Sequence, residues 1–125
     1  MTVAITPRPL NSRERGVLQL VLSQEFPGAA ELLAQIDLVE VYAQWGPESA
    51  SVDVRVREGA PPSVVSGLVP VRSIVVDEAG SLFGEILLWV ADGYLAAIEF
   101  AWYGDEPPRT LPEARMISTE VQADQ

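Results

Sequence analysis

The stretch from Leu82 to Tyr103 is almost wholly apolar and nearly long enough to span a bilayer, but Asp92-Gly93 interrupts it near its middle. Asp-Gly between two apolar runs signals a hairpin, because both residues tolerate the positive φ that a tight turn demands. The segment therefore reads as two antiparallel strands, and no membrane partner is expected. Each arm carries one glutamate, Glu85 and Glu99, among residues that otherwise belong inside a protein.

The length of the turn decides which side chains share a face, since a slip of one residue sends a strand's side chains to the opposite side. A three-residue loop, Ala91-Asp92-Gly93, pairs Val90 with Tyr94. Leu82, Gly84, Ile86, Leu88 and Val90 then share an uncharged face with Tyr94, Ala96, Ile98, Phe100 and Trp102. That face is the natural floor of a core. The other face collects Phe83, Glu85, Leu87 and Trp89 with Leu95, Ala97, Glu99, Ala101 and Tyr103. A two-residue loop would put one glutamate on each face, so segregation of charge favours three residues.

The remaining elements fall around this hairpin. Pro7 and Pro9 hold the first ten residues extended. Asn11, with Glu14 three residues on, forms a capping box for a helix over about 12–24 that carries Val17, Leu18, Val21 and Leu22 at helical spacing. Pro27 sits in the first turn of a second short helix through Leu32, Leu33 and Ile36. The period then changes to two. Val39 to Trp45 and Val52 to Val56 alternate as strands across the turn Gly46-Pro47-Glu48-Ser49. Residues 58–68 read as a loop, and Val69 to Asp77 as the strand before the hairpin. Proline-rich residues after Gly104 form an extended arm, and Met116 to Gln125 a frayed end. The prediction is an α+β domain over 1–112, with two N-terminal helices packed on an antiparallel meander of about five strands. A flexible tail over 113–125 follows.

Composition removes much chemistry. The chain has no histidine and no cysteine, and all its basic residues are arginine. General-base imidazole, thiolate nucleophiles, thiolate metal sites and Schiff-base lysine are thus absent. No metal and no cofactor is expected. A net charge of −10 excludes a phosphate backbone as partner. The start of the chain shows no charged stretch followed by an apolar block, so a cytoplasmic location is expected.

The glutamate-bearing face is too apolar for water and holds two like charges that need relief. Arg72, with Ile74 and Val76, falls on the same face if the preceding hairpin turns on two or four residues, and so could neutralise one glutamate. The candidate protein-binding residues are Arg72, Phe83, Glu85, Leu87, Trp89, Leu95, Glu99 and Tyr103. The face is covered by loop 58–68 or the C-terminal arm, buried in a homodimer, or docked against another protein. A non-enzymatic interaction domain is the reading these residues favour. An immunity-type protein neutralising a toxin by direct binding is the alternative. A hydrolase using Glu85 and Glu99 as paired carboxylates is the weakest, having no catalytic residue beyond them.

Glu25-Phe26-Pro27-Gly28-Ala29, Ser51-Val52-Asp53-Val54, Asp92-Gly93-Tyr94-Leu95 and Trp102-Tyr103-Gly104-Asp105-Glu106-Pro107-Pro108 together resemble a group of small uncharacterised actinobacterial proteins over residues 12–112. The resemblance implies no activity. Many members of that group carry a Cys-Gly-Cys cluster where this chain reads Trp45-Gly46-Pro47-Glu48-Ser49, so no metal or redox role carries over.

Overall fold

Helix α1 (Ser12–Leu22) begins where Asn11 caps it, and both halves of the capping box are present. The Asn11 Oδ1 accepts the Glu14 N–H at 2.8 Å, and the Glu14 carboxylate accepts the Asn11 N–H at 2.9 Å. Glu14 is buried, and Arg8 grips its two carboxylate oxygens at 2.8 and 2.9 Å. That hydrogen bond raises the Arg8 guanidinium pKa further above its ordinary value. Helix α2 (Ala29–Gln35) starts two residues after Pro27, because Gly28 takes the N-cap position and leaves Pro27 outside the first turn.

The structure, a computed structural model, describes residues 2–122. It is α+β: the two helices lie on one face of an antiparallel sheet of eight strands. These are β1 (Val3–Pro9), β2 (Val39–Gln44), β3 (Val52–Val56), β4 (Gly67–Leu68), β5 (Val71–Val76), β6 (Leu82–Ala91), β7 (Tyr94–Trp102) and β8 (Ile117–Val121). The order across the sheet is β1-β2-β3-β7-β6-β5-β8, with β4 beside β6. The expected count of five rises by β1, β4 and β8. Three strands were invisible to alternation: one is broken by prolines, one has two residues, and one is too polar. The end expected to fray instead pairs residue for residue with β5, from Val71↔Val121 to Val75↔Ile117. Of the expected tail, residues 123–125 lie outside those described.

The sheet is also not a meander. β7 docks on β3, so the N-terminal strands and the β5-β6-β7 unit join through a non-sequential pair. Val17, Leu18, Val21 and Leu22 of α1 and Leu32 of α2 share one core with Val41, Val52, Val54, Val75, Ile86, Leu88, Ile98 and Phe100. No described helix is long and apolar enough to cross a membrane.

The β6–β7 hairpin turns on two residues, not three. Asp92 and Gly93 have φ of 53° and 87°, the doubly positive pattern of a type I′ turn, and Ala91 faces Tyr94. The register then shifts: Val90 faces Leu95, but Trp89 faces Ala97, leaving Ala96 as a bulge. Beyond it Leu88 faces Ile98, Ile86 faces Phe100 and Gly84 faces Trp102. The bulge restores the segregation of charge that a two-residue turn alone would lose. Gly84 is required where β6 crosses β7, because an added Cβ would strike the Ala101 carbonyl oxygen and lie 2.8 Å from the Phe100 ring.

Gln35, fully buried at the end of α2, fastens this hairpin. Its Nε2 donates to the Gly93 and Pro61 carbonyls at 2.8 and 2.9 Å, and its Oε1 accepts the Leu95 N–H at 3.0 Å. Replacement Gln35→Leu keeps the volume but strands the buried Leu95 N–H, while the exposed Pro61 carbonyl can turn to water. A buried group so stranded costs about 1–3 kcal/mol. Urea unfolding of the variant is expected to show a loss of about 1–3 kcal/mol on that basis.

Candidate protein-binding face

The face of the sheet opposite the helices is built by side chains that alternate with core residues. On β3, Asp53 and Arg55 stand between the core positions Val52, Val54 and Val56. On β6, Glu85, Leu87 and Trp89 alternate with Gly84, Ile86, Leu88 and Val90. Cross-strand pairing aligns Leu68, Trp89, Ala97 and Asp53 in one row over β4, β6, β7 and β3. The next pairs are Leu87↔Glu99 and then Glu85↔Ala101, the latter continuing to Ile74 and Ser118.

Glu85 and Glu99 thus share this outer face, as diagonal neighbours rather than directly opposed. Each stands across from an apolar residue, which lessens their repulsion. Glu99 is engaged by Trp89, whose indole N–H donates to its carboxylate at 2.9 Å. A matching pair sits across Ala97, where the Trp45 indole N–H donates to Asp53 at 2.9 Å. Arg72 is exposed beside Glu120, and it lines a shallow groove with Glu85 and Leu87. Among the described residues it forms no ion pair, so indole hydrogen bonding takes the place of the expected neutralisation. At the β2–β3 end of the face, Arg55 pairs with Glu40 at 2.8 Å and lies 5.5 Å from the centre of the Tyr42 ring.

Arg72, Glu85, Leu87, Trp89 and Glu99 are brought together on this surface; Phe83, Leu95 and Tyr103 are not. Leu95 lies beside the Ala96 bulge, faces Val90 and is 2% exposed in the core. A second register shift, Val75↔Gly84 followed by Val76↔Leu82, makes Phe83 a bulge residue. Its ring meets Phe100 edge-on at 5.9 Å and lines a pocket with Arg13 of α1, so it belongs to the helix side. Tyr103 follows the end of β7, its N–H donating to the Phe83 carbonyl. About 20 Å of strand separates it from Ala97.

Neither expected cover closes over Trp89: of loop 58–68 only Gly67 and Leu68 join the sheet, with Leu68 beside Trp89, and of the C-terminal arm Pro107 and Arg109 border a cleft with Trp45 and Glu99 at one end of the face. Loop 57–66 turns to the helix side, where the Ser63 hydroxyl donates to the Gly28 carbonyl at 2.8 Å and the Ser63 N–H to that of Gly93 at 2.8 Å. The C-terminal arm crosses the sheet end: the Ala50 N–H donates to the Pro108 carbonyl, and Arg13 to the carbonyl of Leu111, itself a core residue. Trp89 remains 36% exposed and Leu68 43%.

Two contributors escaped the sequence reading. Leu68 sat in a segment read as loop, since a two-residue strand has no period. Trp45 was assigned by alternation to the same side as Val41, but the β2 register shifts between Val41 and Ala43, leaving Tyr42 as the extra residue. Trp45 thereby joins the outer side and borders a cleft of ≈ 640 Å³ with Glu99, Trp102, Pro107 and Arg109. No signal for either bulge is present in the sequence.

Among the described residues, no group of three carboxylates converges in a way that could hold a metal ion. No family model, curated protein or solved structure matches the chain. The assignment of faces is open to a paired substitution. Leu87→Ser should cost no more than about 1 kcal/mol, as expected of a surface change. Leu88→Ser, one residue on but in the core, should cost at least about 3 kcal/mol through lost burial and a stranded hydroxyl. Thermal unfolding of the two variants checks the difference.

Proposed function

We propose that this chain is a non-enzymatic interaction domain that binds another protein, or a second copy of itself, through the outer face of its sheet. One observation supports this above others: Leu68, Trp89 and the half-buried Leu87 form an apolar strip beside the buried Ala97, and neither loop nor arm closes over Trp89 or Leu68. Trp89 is the natural anchor, because a large amphipathic ring with its N–H already satisfied loses little on burial. Arg72 and Glu85 stand at the rim.

Charge indicates the kind of partner. Glu40, Asp53, Glu85, Glu99 and Glu120 outnumber Arg55 and Arg72 on this face, and the whole chain carries −10. A basic protein surface complements that field and is steered towards it. An immunity-type role, neutralising a basic toxin by direct binding, is the narrower form of this reading, and a cytoplasmic location accords with it. The hydrolase reading finds less support: Glu85 and Glu99 stand diagonally on an open sheet, and Glu99 is already held by an indole.

Co-purification from the native source tests the proposal with two variants on opposite faces. A partner held by the wild-type chain should be lost with Trp89→Glu and kept with Leu33→Glu, since Leu33 is exposed on α2. Binding kept by Trp89→Glu and lost by Leu33→Glu would place recognition on the helices. For the immunity reading, the captured protein should be an enzyme inhibited stoichiometrically, with an association rate that falls as salt rises.

A further inference from the structure

The two lateral edges of the sheet are unlike. At β1, Pro7 and Pro9 remove N–H donors and the register with β2 breaks between Ala4 and Arg8. These features guard an edge against pairing with another chain. At the other edge β8 has no proline and no bulge, and its register with β5 is unbroken from Ile117 to Val121.

The polarity of that edge follows from one hydrogen bond. The Gln122 N–H donates to the Pro70 carbonyl at 2.9 Å, and backbone groups alternate along an antiparallel strand. Ser118, Glu120 and Gln122 therefore direct N–H and C=O towards β5, whereas Ile117, Thr119 and Val121 direct theirs outward. The Ile117 N–H is taken by the Ala114 carbonyl. Among the described residues, nothing pairs with the Ile117 C=O or with the backbone groups of Thr119 and Val121 along the edge.

We propose that β8 pairs antiparallel with β8 of a second copy about a two-fold axis at Thr119, joining two sheets into one. This pairing is independent of the outer face. Thr119 is the centre of the strand, so only a two-fold there aligns the whole of Ile117–Val121 with itself. The Thr119 N–H of each copy donates to the Thr119 carbonyl of the other, and each Val121 N–H donates to the opposite Ile117 carbonyl. On the helix side, where Val71 faces Val121 and Val75 faces Ile117, the apolar row runs on without a break from one copy into the next. Val121, 39% exposed in the single chain, gains the opposing Ile117 as its neighbour. On the outer side Glu120 falls opposite Ser118, not opposite its own copy, and keeps Arg72 beside it. The shape is self-complementary, as a two-fold interface requires.

A five-residue edge is a small interface, so monomer and dimer should exchange. Sedimentation equilibrium over a wide concentration series should show a mass rising from 13.5 kDa towards twice that value. Added salt should favour the dimer, because each copy carries −10 and screening weakens their repulsion. Thr119→Pro removes only an outward N–H, which an edge strand tolerates, and should stay at 13.5 kDa with an unchanged near-ultraviolet spectrum. Trp89→Glu should dimerise like the wild type. Amide exchange needs no substitution: Thr119 and Val121 should slow as concentration rises. A wild-type chain that stays monomeric throughout would overturn the proposal. So would a Thr119→Pro dimer as strong as the wild type, or a dimer that Trp89→Glu alone dissociates.

Discussion

A single buried amide sets the arrangement on which the outer face depends. Gln35 comes from α2, yet it holds the Gly93 carbonyl and the Leu95 N–H at the tip and first rungs of the β6–β7 hairpin. A polar side chain with no exposure has to satisfy its donors and acceptor inside the protein. Here the partners are backbone groups on either side of Tyr94, just before the bulge at Ala96. The helix thereby fixes the tip of the hairpin as well as covering it. Pro61, the third partner, ties the long loop to the same point and keeps it on the helix side.

That geometry accounts for the unequal faces. The I′ turn suits the right-handed twist of the strands, but by itself it would give each face one glutamate. Ala96 supplies the missing residue, so both glutamates emerge where α1 and α2 do not reach. The price is Leu95, which moves inward. Glu99, partly exposed among apolar neighbours, accepts the Trp89 indole N–H. The Trp45–Asp53 pair repeats the solution two strands away. Two indole–carboxylate pairs around Ala97 give the face a polar frame and an apolar centre, a composition suited to a protein partner.

The readable parts of this fold are those governed by local chemistry. The capping box at Asn11 and Glu14, the strand Val52–Val56 and the hairpin break at Asp92-Gly93 each follow from short-range rules, and the α+β class follows from their order. What could not be read depends on distant contacts. Ala96 bulges beside a tip that Gln35, sixty residues earlier, holds in place. Phe83 leaves the outer face because a bulge places it on the helix side, edge-on to Phe100, where it stays exposed. β8 is polar and gains its strand character only by lying against β5. Glu85, Leu87, Trp89 and Glu99 share the outer face because the turn is one residue shorter than expected and the Ala96 bulge restores the alternation of faces, though not the register.

The hairpin register is the claim on which all of this rests, and nuclear Overhauser contacts between β6 and β7 measure it in solution. The structure requires cross-strand contacts of Leu88 with Ile98, Leu87 with Glu99 and Glu85 with Ala101. The register of an unbulged three-residue turn would instead join Leu88 to Ala96 and set Glu85 directly against Glu99. Observation of the first set supports the account, and observation of the second contradicts it.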